Sequence, residues 1–257
     1  MAAGQEELGK PPVEIRVLRT LEEYGGALAL QREVWGFSDV DQVPPRLMGV
    51  ARFVGGLVLG AYDGGRMVGF SLALPGMKPD GKSYWHSHMT GVLPSSQNRG
   101  IGKRLKLCQR EEALRSHVDL IEWTFDPLEI KNSHFNLERL GVIARRYVPN
   151  LYGITSSPLH GALPTDRLVA EWDVQSGRVR SLVEGGSAID KRVTATVEIP
   201  AAITGLRTKD ASAALAIQNT VREQFERHFA DGLAVVGYER TQRGGLFQLG
   251  PLNEPPR

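Results

Sequence analysis

Apolar and polar positions alternate along the chain in a way that separates short strands from amphipathic helices. Val13-Glu14-Ile15-Arg16-Val17-Leu18 has a period of two and predicts a strand, behind a polar segment ending in Pro11-Pro12. From Thr20 to Trp35 the period lengthens, with Leu21, Tyr24, Leu28, Gln31, Val34 and Trp35 at helical spacing behind a residue suited to cap a helix. Phe37 to Arg46, rich in Asp and Pro, predicts a loop placed where a substrate-facing element would sit. Leu57 to Tyr62 and Met67 to Leu74 flank Asp63-Gly64-Gly65 and predict a hairpin, and a third run, Tyr84 to Leu93, closes at Pro94.

Further on, Val118 to Phe125 is almost continuously apolar apart from Asp119 and Glu122, which suits a strand covered on both faces. Asn132 to Leu140 reads as a helix with Asn132 as N-cap and Gly141 as its terminal glycine. Strands are expected near Tyr147 to Thr155 and over Leu168 to Val174. Gln175 to Asp190 turns to Gly, Ser and charge, as at a domain boundary. Order then resumes with a strand at Val193 to Ile199, a helix from Asp210 to about Phe229, and a closing hairpin of Leu233 to Glu239 and Gly245 to Gly250. The expected organisation is a tail at 1–12, a first domain at 13–175, an α/β extension at 176–250 packed on it, and a tail at 251–257.

Composition narrows the class of protein. With 41% hydrophobic residues in 257, the chain can bury a substantial core without metal or disulfide. Its 31 Lys and Arg against 29 Asp and Glu give a net charge of +2, too mild to argue for a nucleic-acid partner. Cys108 is the only cysteine, which excludes an intramolecular disulfide and a cysteine-based zinc site and suits a reducing compartment. No leader-like segment and no long uninterrupted apolar run is present, so a cytoplasmic protein with no membrane partner is expected.

The most informative segment is Gln97-Asn98-Arg99-Gly100-Ile101-Gly102-Lys103, directly after a predicted strand and directly before a helical pattern. Two glycines one residue apart let backbone approach a bulky ligand, and the unpaired N–H groups of a first helical turn attract anions, phosphate above all. Arg99, Lys103, Arg104 and Lys106 lie within two turns and add positive charge, enough to complement a pyrophosphate and a further phosphate. The pattern lacks the last glycine of a dinucleotide fingerprint and the Gly-Lys-Ser/Thr of a nucleoside-triphosphate loop.

Gln97, Gly100 and Gly102, preceded by Val92-Leu93-Pro94, resemble instead the acyl-CoA pyrophosphate loop of the GNAT N-acetyltransferase superfamily. The resemblance covers a β-α-β-β-β-α-β-α-β-β order from about Val13 to Val174. It includes Leu137-Glu138-Arg139-Leu140-Gly141, similar to the family's Tyr-Glu-x-Leu-Gly-Phe. Leu163 to Trp172 and the C-terminal region also resemble a group of predicted bacterial acetyltransferases of this superfamily that carry such an extension.

The resemblance implies an α/β GNAT fold, with a mixed, splayed central sheet, over 13–175. It implies acetyl-CoA or another acyl-CoA as co-substrate and no metal. Its pantetheine arm would lie between the strands Tyr84 to Leu93 and Val118 to Phe125, pairing with backbone around Thr90, Gly91 and Val92. The amides of Gln97, Asn98, Arg99, Gly100, Ile101, Gly102 and Lys103 would hold the pyrophosphate, and Asn132 resembles the family's asparagine near the pantetheine, at a shorter distance from Gly141 than usual.

The implied reaction is direct attack of a primary amine of a small molecule, an amino acid being compatible with the basic loops, on the thioester in a ternary complex. An ammonium must first lose a proton, and an imidazole titrating near ~6.5 suits that task. His86 and His88, two apart on a strand, are expected to share a face with Tyr84 and Thr90. Their positions resemble a two-histidine arrangement in arylalkylamine N-acetyltransferases; a structural, hydrogen-bonded pair is the other reading. Two histidines without a third ligand do not suit a metal.

Glu122 and His134 are held in reserve, each more readily structural. The tyrosine that protonates the thiolate in many family members corresponds here to Leu137. Tyr147 or Tyr152 would then supply the proton, or the thiolate would leave unassisted, or the domain would be a non-catalytic acyl-CoA-binding or sensing module. The C-terminal region is expected to cover the acceptor pocket, complete the sheet or form a homodimer interface.

Overall fold

Thr20 opens the first helix as its position predicts. Its hydroxyl accepts from Glu23 N at 3.2 Å, while Glu23 Oε2 accepts from Thr20 N at 3.0 Å, and this reciprocal cap starts α1 (Leu21–Trp35). The computed structural model describes residues 13–153, 163–186 and 191–252. The expected N-terminal tail, most of the C-terminal tail and the end of the strand expected near Tyr147 to Thr155 lie outside the described residues.

In chain order α1 is preceded by β1 (Glu14–Val17) and followed by α2 (Pro45–Phe53), β2 (Leu57–Asp63), β3 (Arg66–Met77), β4 (Ser83–Val92) and α3 (Ile101–Arg115). Then come β5 (Leu120–Phe125), α4 (Ile130–His134), β6 (Ile143–Val148), β7 (Arg167–Asp173) and α5 (Gly177–Val183). The chain continues through β8 (Ala195–Pro200), α6 (Ile203–Lys209), α7 (Ala211–Ala230), β9 (Ala234–Thr241) and β10 (Gly244–Gly250). The strands form one sheet in the order β1-β2-β3-β4-β5-β7-β6-β9-β10-β8. All recorded pairings are antiparallel except β4 with β5.

Helices cover both faces. Trp35 of α1 meets Phe70 of β3 edge-on at 5.9 Å, whereas Gln109 of α3 donates to Ser71 Oγ, the next residue along β3, at 3.3 Å. Alternation along a strand therefore puts α1 on one face and α3 on the other. Trp85, Trp123 and Trp172 are buried, as strand aromatics generally are.

Several expectations are corrected. The loop expected over Phe37 to Arg46 ends early, because Pro45, whose fixed φ suits a first helical turn, begins α2. The helix expected from Asn132 starts instead at Ile130 and widens after His134 into a single π-turn over Phe135–Arg139, closed by Leu140 N donating to Phe135 O at 3.2 Å. Within the boundary expected at 175–190, Ser176 caps α5, and Arg178 of that helix donates to the carbonyls of Gly141 and Leu137 at 3.0 and 3.1 Å. The acceptors a helix end leaves unpaired are thereby satisfied.

The C-terminal region extends the sheet. β9 pairs with β6 at Ala144 and Val235, and Phe225 of α7 lies 5.8 Å from Tyr147 of β6 and 5.1 Å from Phe247 of β10. Arg222 of α7 is ion-paired with buried Asp166 at 2.7 Å. α6 carries the buried Arg207 onto Asp126 and Glu129 at 2.6 and 2.8 Å.

Candidate active site

β4 and β5 run parallel but pair only at Trp85 with Ile121 and His86 with Glu122. Beyond that point the strands separate, so β4 from Ser87 to Val92 has β3 on one edge and, among the described residues, no strand partner on the other. Unpaired strand backbone is a template for an extended ligand. The fork opens toward the C-terminal ends of both strands, where the chain leaves β4 for the 97–103 loop.

A bulge sits just past the last pair. Leu72 of β3 opposes Met89, whereas the next residue, Ala73, opposes Ser87, leaving His88 as the extra residue. One inserted residue reverses which face later side chains take. Thr90 bonds Ser71 Oγ at 3.0 Å, and Ser87 accepts from Lys106 of α3 at 2.7 Å, so both face α3. His86 and Tyr84 face the opposite way. The expectation that Tyr84, His86, His88 and Thr90 share one face therefore fails at Thr90.

On the α1 side the His86 and His88 rings lie 6.1 Å apart. Burial, and then the neighbouring His88, hold His86 below the usual imidazole range, against the opposing pull of Glu122. His88 is exposed at the mouth of the fork, yet desolvation by the surrounding walls lowers it as well. Glu122 is buried, and its Oε1 accepts from Lys78 Nζ and from Arg146 of β6, both at 2.6 Å. With that oxygen claimed twice, the carboxylate anchors two cations beside the fork. Lys78 also lies 4.7 Å from the centre of the Tyr84 ring. Sequence reasoning missed Lys78, which sits just beyond β3 in no motif.

On the α3 side lies a polar layer that sequence reasoning also missed. Lys106 is buried with no carboxylate partner among the described residues, donating to Ser87 of β4 and to Gln109 Oε1 at 3.4 Å, with its amine 3.6 Å from the centre of the Trp123 ring of β5. Burial pushes that amine well below the ordinary lysine range. Lys106 thus touches both strands where they part. It does not face outward to join the phosphate loop, as helical position had suggested.

In the loop, Asn98 and Gly100 adopt positive φ (61° and 75°), which turns the chain so that α3 begins at Ile101. The first donor back into the helix is Arg104 N to Gly100 O at 3.0 Å. Gln97 N donates to Pro94 O at 3.4 Å, and the amides from Asn98 to Lys103 have no recorded backbone acceptor among the described residues, which leaves them to other acceptors. Gln97 folds back onto Val92 O at 3.2 Å. Of the four nearby cations, Arg99 is paired with Asp63 at 2.5 Å, Arg104 donates to Val13 O and Lys106 is buried. Lys103 alone has no recorded partner among the described residues. Asn132 lies on α4, exposed, accepting from Asn136 at 3.4 Å. Gly91 is required by packing: a Cβ there would lie 2.5 Å from the Trp35 ring.

Leu137 is fully buried. Tyr147 donates to Asp166 at 2.8 Å, and burial followed by that carboxylate raises its phenol far above the usual range, so it holds its proton. Tyr152 is exposed and hydrogen-bonds Thr124, two residues beyond Glu122 on β5, at 2.8 Å. Among the described residues no group of three or more His, Cys, Asp or Glu side chains is placed to hold a metal ion, and no helix is long and apolar enough to cross a membrane.

No family model matches the sequence, and no curated protein matches it. Solved structures do. The ribosomal-protein-S18-alanine N-acetyltransferase of Escherichia coli is 14% identical, with a TM-score of 0.50 over 64% of this chain and 96% of that one. An acetyltransferase of the GNAT family from Streptococcus pneumoniae, also 14% identical with a TM-score of 0.50, is matched over 62% of this chain and 98% of its own.

Proposed function

We propose that this chain, built on the fold of the GNAT N-acetyltransferases, is an acyl-CoA-dependent N-acyltransferase. It passes an acetyl or related acyl group to the primary amine of a small molecule in a ternary complex. The observation that carries this reading is the fork. Among the described residues one edge of β4 lacks a strand partner from Ser87 to Val92, and it opens toward a turn whose amides precede the first intrahelical donor. Pantetheine, which has amides spaced along a chain, suits that edge around Thr90, Gly91 and Val92. The pyrophosphate suits the amides from Gln97 to Lys103. We assign the transfer chemistry to residues 13–175, with Asn132 beside the bound arm.

The acceptor enters from the α1 face. His86, kept neutral near pH 7 by burial and by His88, takes a proton from the ammonium directly or through water. The amine attacks the thioester carbonyl, the C–N bond forms, the C–S bond breaks, and the CoA thiolate takes up a proton. We assign that proton to Tyr152, which hydrogen-bonds Thr124 of β5. Lys78 and Arg146 bring two positive charges against the one of Glu122 and retain spare donors, so the acceptor we favour carries an acid group, as an amino acid does.

Release of free thiol from acetyl-CoA with a panel of amines tests the reading. Turnover with at least one amine, lost in His86→Ala while acetyl-CoA binding persists, supports it. Binding without turnover for any amine supports instead a non-catalytic acyl-CoA module, which the buried Leu137 at the usual acid position favours.

A further inference from the structure

A cleft of about 570 Å³ lies between the start of α3, the π-turn and β9. Its walls include Lys103, His134, Arg139, Leu182, Tyr238 and Arg240. The charges around it are unbalanced. Glu138, on the same wall, is claimed by Lys191 Nζ at 2.6 Å and by Tyr238 N at 2.7 Å. Glu239 is then the one unclaimed carboxylate against Lys103, Arg139 and Arg240, none of which has a recorded ion pair among the described residues. Arg139 and Arg240 come from different elements, yet both line the cleft beside His134, where burial first and then the two arginines lower the imidazole against the opposing pull of Glu138. Like charges brought together around a concave surface raise the local potential and favour an anion of high charge density.

Lys103 ties this cleft to the phosphate loop, since it belongs both to the first turn of α3 and to the cleft wall. Arg240 comes from β9, in the C-terminal region. A ligand with one pyrophosphate and a separate phosphomonoester, held on the same face, would need these two adjoining sites.

We propose that this cleft is a second phosphate subsite, which receives the 3′-phosphate of a CoA ester between Arg139 and Arg240. The inference rests on the acyltransferase reading and goes beyond it by giving the C-terminal strand a part in selecting the acyl donor. Guanidinium groups suit a phosphomonoester because their forked donors reach two oxygens at once.

Titration of the full chain with acetyl-CoA and with acetyl-3′-dephospho-CoA tests it, using wild type, Arg240→Gln and Arg139→Gln. Both arginines are exposed, and an unchanged unfolding midpoint without ligand checks that each variant folds. Wild type is expected to bind acetyl-CoA at least tenfold more tightly than the dephospho ester. Arg240→Gln is expected to abolish most of that preference while leaving affinity for the dephospho ester unchanged, and Arg139→Gln to act in the same direction. Equal wild-type affinity for the two esters, or an equal loss for both in Arg240→Gln, overturns the subsite and leaves the acyl-CoA reading standing. Failure of both esters to bind wild type overturns both.

Discussion

Lys106 illustrates how a single side chain departs from what its sequence position suggests. In the sequence it is one of four cations near a phosphate loop. In the structure its amine is buried between Ser87 and the Trp123 ring, with no counter-charge recorded among the described residues. Lysine in the unfolded chain titrates near ~10.4, whereas the folded value is depressed. Between the two values the unfolded state binds the extra proton, so stability falls as pH is lowered through that window, by up to about 1.4 kcal/mol per pH unit. Lys106→Met removes this term. Its unfolding midpoint is expected to exceed that of wild type at pH 7 by an increment that shrinks as pH rises toward 10, as read by thermal melts; a constant difference across pH would contradict it. His86 has the same sign. Its folded value is depressed, so neutral imidazole persists below pH ~6.5, and the acid limb of kcat/KM is expected below that value. His86→Ala is expected to lower kcat by about 10²–10⁴-fold with acetyl-CoA affinity retained.

Among the elements, those with a strong local signal were legible from sequence. Thr20 as cap, the Asp63-Gly64-Gly65 turn and the helix behind Asp210 all stand where pattern placed them. The bulge at His88 was not legible, because an inserted residue leaves no trace in an alternating run and is fixed only by the register with β3. That one residue separates Thr90 from His86 and sets where β4 departs from β5. The π-turn was hidden for a similar reason: Asn136 accepts from Trp123 Nε1 at 3.2 Å, a contact between distant segments. Gly91→Val drives a side chain into the Trp35 ring. It is expected to cost about 1–3 kcal/mol of stability by overpacking, measured by denaturant unfolding, and to weaken acetyl-CoA binding by distorting the open edge.

Across the whole molecule, the fork and the C-terminal region are mechanically joined. Arg207 holds Asp126 just beyond β5, Lys191 holds Glu138 in the π-turn, and Phe225 packs between Tyr147 of β6 and Phe247 of β10. The contacts that join residues on either side of the compositional change near residue 176 were not legible, since none is local in sequence. Phe225→Ala is expected to destabilise the whole chain by about 3–5 kcal/mol in one cooperative transition. A separate early transition would mean that the two parts unfold independently. The central claim is that the fork and its loop form an acyl-CoA site, and calorimetric titration of the chain with acetyl-CoA, beside Gly100→Asp, tests it most directly. The account predicts saturable one-to-one binding to wild type and its loss in the variant, where a carboxylate and strained positive φ occupy the turn. No binding to wild type, or equal binding to both, would contradict it.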